Sequence, residues 1–62
     1  MSKLTTRLEL DKATIEITRE TINNHTTFHV YALNKTIQEH ITVSLERSEL
    51  FEVWDLIGQV IK

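Results

Sequence analysis

The chain has no cysteine, so no disulfide can staple it, and a thiolate metal site is excluded as well. It has no basic excess. Its formal net charge is -2 at pH 7, which argues against a nucleic-acid binder working through bulk charge. No apolar run approaches the roughly 20 residues that a membrane span needs. The first residues, Met1-Ser2-Lys3-Leu4-Thr5-Thr6-Arg7, hold no apolar segment of the kind a signal peptide requires. There is no linker, repeat or low-complexity tract. The two sequons, Asn24-His25-Thr26 and Asn34-Lys35-Thr36, read as turn chemistry in a chain without a secretory signal. The expectation is one cytoplasmic domain over residues 1–62. With a Met at its start and no tails, the chain reads as a whole gene product.

What is present is an ordinary apolar share, 40%, which argues against disorder. A domain of 62 residues buries only about 60% of its unfolded surface. Ordering it costs roughly 1.5 kcal/mol per residue, which nearly cancels burial at about 25 cal/mol per Å². Without a staple, idealised packing or oligomerisation must close the gap.

Residues of period two fill the first three-quarters of the chain. Leu4, Thr6, Leu8 and Leu10 alternate with Lys3, Thr5, Arg7 and Glu9. Ala13, Ile15 and Ile17 alternate with Thr14, Glu16 and Thr18. Phe28, Val30 and Ala32 alternate with Thr27, His29 and Tyr31. Ile37, Ile41, Val43 and Leu45 alternate with Gln38, His40, Thr42 and Ser44. The β-branched and aromatic content suits a pleated, half-buried surface. These runs predict strands over 3–10, 13–22, 25–33 and 36–45. Between them lie Asp11-Lys12, Asn23-Asn24 and Asn34-Lys35. Asn and Asp tolerate the left-handed backbone of tight type I′ hairpins, so an antiparallel meander is expected.

Two-residue turns fix a register. Leu8 then faces Ile15, Ile17 faces Val30, Phe28 faces Ile41 and Ala32 faces Ile37. Arg7 meets Glu16 and Lys3 meets Glu20, two opposite-charge pairs. One face is apolar across all four strands, and a one-residue slip would destroy that agreement. After Leu45 the period becomes 3.6, which predicts an amphipathic helix over 47–61 packed on one face. Leu50, Val53, Trp54, Ile57, Val60 and Ile61 form its apolar stripe. Ser44 or Ser48 is the expected cap, with Glu46 and Glu49 suited to the N-terminal dipole and Lys62 to the C-terminal one. The fold class is α+β: a four-stranded antiparallel meander with one C-terminal helix. Gly58, the sole glycine, costs about 1 kcal/mol against Ala in a helix. It is either a tolerated flank position or a point of close approach to a neighbouring backbone.

Widths suggest a partner. Four strands span about 19 Å, and one helix covers about 10 Å. An apolar strip is therefore expected to stay uncovered, near Leu4 and Leu8 or near Ile37 and Val43. Phe51 and Leu56 widen the apolar arc of the helix beyond a sheet-facing stripe. Patches of this kind mark interfaces. The expected protein interface is Phe51, Trp54, Leu56, Leu4 and Ile37. Strands one and four are open edges that Lys3, Arg7 and Lys35 would blunt, and Glu39 falls on the inward parity of the last strand.

On the outer face, the two-residue register sets His29 opposite His40. Two imidazoles fall short of the three or four ligands zinc wants, so no cofactor is expected, with a weak metal site at His29 and His40 as an alternative. A facing histidine pair would instead give a modest pH response. Tyr31, with His29, His40 and Arg7, offers a platform that could stack single-stranded bases. One aromatic among mixed charges is a thin basis for it. No activated nucleophile and no paired carboxylates in a cleft are evident, so neither an enzyme nor a small-molecule substrate is expected. The expected function is a small non-enzymatic protein-interaction module. It is expected to be homodimeric, or an adaptor or inhibitor of a larger protein, in the manner of small phage proteins directed at host machinery.

Overall fold

A computed structural model describes all 62 residues. The order is β1 (Ser2–Glu9), β2 (Ala13–Ile22), β3 (His25–Asn34), β4 (Glu39–Leu45) and α1 (Arg47–Val60). The strands form one antiparallel sheet in sequence order. The α+β meander with a C-terminal helix is thus the observed fold. No helix is long and apolar enough to cross a membrane.

The first two hairpins keep the expected register. Leu8 pairs with Ile15, Arg7 with Glu16 and Lys3 with Glu20. Ile17 pairs with Val30 and Ile15 with Ala32. Asn23 and Asn24 take φ values of 51° and 64°, the doubly left-handed pair of a type I′ turn. Neither Asp11 nor Lys12 has a positive φ, so the first hairpin is not of that type. Leu10 still donates its N–H to the Ala13 carbonyl at 2.8 Å. Leu10 itself falls outside the strand, so β1 spans residues 2–9 rather than 3–10.

The third hairpin departs from expectation. Its loop is four residues long, not two, so β3 runs on to Asn34 and β4 starts at Glu39 rather than 36. The cause is the Asn34 side chain. Its Oδ1 accepts the Thr36 N–H at 3.0 Å and the Ile37 N–H at 3.4 Å, an Asx turn that winds the loop locally. Gln38 takes the left-handed position, φ 58°, and its Nε2 donates to the Lys35 carbonyl at 2.8 Å. A type I′ turn would instead have needed positive φ at Lys35. Phe28 therefore pairs with Leu45, not Ile41, and Ala32 with Ile41, not Ile37. The slip is an even number of residues, so every side chain keeps its face.

Glu46, not a serine, is the N-cap of α1. Its N–H donates to Glu49 Oε1 at 2.9 Å, as in a capping box. Ser44 is engaged elsewhere, with His29. The helix ends at Val60 rather than 61. Ile61 is the C-cap, and Lys62 lies beyond, so the last turn carries no base. The helix meets β3 and β4 and neither of the other strands. Arg47 lies 5.7 Å from the Phe28 ring centroid, and Glu46 reaches His25 at 3.5 Å. Beyond that corner the apolar stripe faces solvent, with Leu50 its one partly covered member.

The result is flat and extended, 38 × 26 × 15 Å. The Cα radius of gyration is 13.0 Å, against about 11 Å for a compact domain of this length. No apolar side chain is buried, and the one buried residue is Thr14, at 2% exposure.

Candidate protein interface

Sheet pairing aligns the apolar residues in rows. Leu8, Ile15, Ala32 and Ile41 make one row, and Thr6, Ile17, Val30 and Val43 the next. The central members are half-buried by their neighbours, while the outer ones, Leu8 and Ile41, are exposed. Near the third hairpin the face dips into an open groove of about 580 Å³, lined by Ala13, Ile15, Ala32, Ile37 and Ile41, with Glu39 among its polar members. Arg19 lies on this face between Leu4 and Phe28. It is exposed and has no ion-pair partner among those formed in the chain.

The interface residues expected from sequence are all exposed: Leu4, Ile37, Phe51, Leu56 and Trp54, the last at 72%. The structure does not bring the two groups together. Leu4 sits on the β1 edge, Ile37 in the third hairpin, and the other three on the helix. More apolar surface is open than the width comparison required, because the helix stripe joins the uncovered sheet. Trp54, Ile57, Gly58 and Ile61 line one shallow helical patch. A Cβ built on Gly58 would meet nothing within 4 Å. The helix therefore bears the cost of glycine with no contact in the chain to explain it.

The outer face is organised differently. Glu9 accepts from Arg7 Nε at 2.7 Å and from Thr14 Oγ1 at 2.9 Å, and Lys35 Nζ stands 3.0 Å from it. Lys35, then Arg7 and Thr14, hold the Glu9 carboxyl down at about 2. Lys35 also donates to the Leu10 carbonyl at 2.8 Å, tying the first hairpin to the third. Arg7 approaches Glu16 at 3.7 Å, and Lys3 approaches Glu20 at 3.6 Å. Hydrogen bonding to His29 first, and then the charge of Lys3, lowers the Glu20 carboxyl below its ordinary range.

The expected His29–His40 pair does not form, since the longer loop sets His29 opposite Ser44 and His40 opposite Leu33. The basis for a two-histidine pH response goes with it. His40 lies beside Tyr31 instead, ring centroids 5.6 Å apart. No group of three or more potential metal ligands occurs.

The same register builds a relay that sequence reasoning missed. His29 Nδ1 is 2.9 Å from Ser44 Oγ, and its Nε2 is 3.1 Å from Glu20 Oε1. With Nε2 donating to the carboxylate, Nδ1 accepts from the Ser44 hydroxyl. The available signal was the poor fit of Lys35 to a type I′ turn. Serine, histidine and glutamate in this order can pass a proton. Acyl transfer also needs preorganised oxyanion donors and a substrate cleft. Ser44 is exposed on an open sheet, and the groove near the third hairpin includes none of the three residues. The relay ties β2, β3 and β4 together across the outer face.

The chain matches no known family model, no curated protein and no solved structure.

Proposed function

We propose that this chain is a small non-enzymatic protein-interaction module that works as a homodimer. One observation carries the reading: no apolar side chain is buried, while fifteen large ones are exposed. Isolated exposed leucines are ordinary, but a domain with no apolar interior is not. Hydrophobic burial is the main term that offsets chain entropy. This sheet gains it by covering its face with another protein surface. A role as an adaptor or inhibitor of a larger protein fits a dimer that keeps its hydrogen-bonded outer faces toward solvent.

Single-stranded nucleic-acid binding has less support. Around Tyr31 the cations Lys3, Arg7 and Lys35 are each matched to a carboxylate, which leaves no positive groove. Size-exclusion chromatography with light scattering tests the reading. A dimer at micromolar concentration is expected. A well-folded monomer at every concentration would refute it.

A further inference from the structure

Two copies of a chain with one open sheet face and one open helix have few ways to cover both. Packing sheet on sheet leaves both helices wet. Packing helix on helix leaves both sheets wet. One symmetric contact engages all four surfaces: each helix laid on the other copy's sheet. A two-fold axis makes the two halves of that contact identical.

The dimensions agree. The helix, at 14 residues, is about 21 Å long, and the sheet is about 19 Å wide. The areas agree too. The chain exposes 5266 Å², whereas a compact monomer of its mass exposes about 4,200 Å². The excess of about 1,100 Å² is somewhat more than the roughly 800 Å² that each partner contributes to a standard specific interface.

The helix is held away from its own sheet. A single residue, Glu46, joins β4 to α1. That residue is fixed by the Glu49 carboxylate on its N–H, by His25 on its side chain, and by Arg47 over Phe28. Folding α1 back over its own strands would break this corner. Docking it on a second copy leaves the corner intact. Arg19 is unpaired on the apolar face, and Asp55, at the margin of the helix stripe beside Gly58, forms no ion pair in the chain. Gly58 then has a purpose that the single chain does not supply. It opens a notch beside Trp54 and Ile57 into which a branched side chain of the facing sheet can enter.

We infer that the dimer is formed by reciprocal helix exchange, α1 of each copy lying across the apolar sheet face of the other with Gly58 at the closest approach. This rests on the homodimer reading and specifies its geometry.

The absence of native cysteine makes cross-linking unambiguous. Ile17→Cys places a thiol on the sheet face, and Ile57→Cys places one on the helix. When the two single variants are mixed and mildly oxidised, the expected main product is the mixed disulfide. The double variant should give a covalent dimer. A double variant that closes a disulfide within one chain would overturn the exchange, as would a mixture dominated by disulfides between two copies of the Ile57→Cys variant. In either case a wild-type dimer in solution would leave the homodimer reading standing, whereas a wild-type monomer would remove both. Gly58→Ala provides a second readout. It should raise the dimer dissociation constant about tenfold, by overpacking a close contact, while circular dichroism shows helix content kept or increased. Unchanged or tighter association would contradict the placement of Gly58.

Discussion

The two faces of the sheet reverse the usual relation between polarity and completeness. The polar face is finished within the chain. Its one buried residue is a threonine, its cations meet carboxylates, and a serine–histidine–glutamate chain spans three strands. The apolar face, which ought to hold the core, is unfinished. Polar groups can be satisfied by cross-strand neighbours in the same sheet, because pairing sets them within hydrogen-bond reach. Apolar groups need a second layer, and the only candidate layer, α1, turns away at Glu46.

This contrast can be attacked first from the apolar side. Trp54→Ala should weaken self-association by about thirty-fold or more, as loss of a central aromatic anchor does. Tyr31→Ala, on the other face, should leave it unchanged. Concentration-dependent sedimentation of both variants provides the check, and equal effects would erase the distinction between the faces. Next, Thr14→Val removes the buried hydroxyl that donates to Glu9 while nearly conserving shape. It should cost about 1 kcal/mol in denaturant melts. Asn24→Ala, at a left-handed turn position, should cost about 1 kcal/mol by the same assay, and Asn24→Gly should cost less.

The smallest effect concerns acid. The Glu9 carboxyl is held at about 2 in the folded chain, against 4.5 ordinarily. A depressed folded value means that the unfolded chain binds the extra proton first. The stabilisation from Glu9 is therefore complete above about 4.5 and fades as pH falls toward 2. Glu9→Gln should lower stability at neutral pH and flatten the pH slope within that window, with the two proteins converging at its acid end. Thermal melts across the range test this, and parallel curves would show that the carboxylate network is energetically idle.

Much of the fold is legible in the sequence, for identifiable reasons. Asn23-Asn24 is a turn that chemistry alone specifies, and alternation places Ile15, Ile17, Val30 and Ala32 on one face. Arg7–Glu16 and Lys3–Glu20 follow from the same register. The third hairpin is less legible, because periodicity says nothing of how the Asn34 side chain competes for the N–H groups that follow it. Face assignments survived the slip only because it was even, whereas the partners of His29 did not survive it. That is why the expected histidine pair dissolved and the Ser44–His29–Glu20 relay went unseen. The helix shows a different limit. A 3.6-residue period identifies Leu50, Trp54 and Ile57 as one face but not the surface that receives it. That depends on the corner at Glu46, whose capping residue was not the expected serine.

A second copy of the chain is the proposed apolar layer. Sedimentation equilibrium of the wild-type protein, with Trp54 emission recorded over the same dilution series, tests it most directly. The expected result is a species of twice 7.3 kDa, with blue-shifted Trp54 emission that moves to the red only on dilution into monomer. A folded species of 7.3 kDa at every concentration, with the emission of a water-exposed indole throughout, would contradict it.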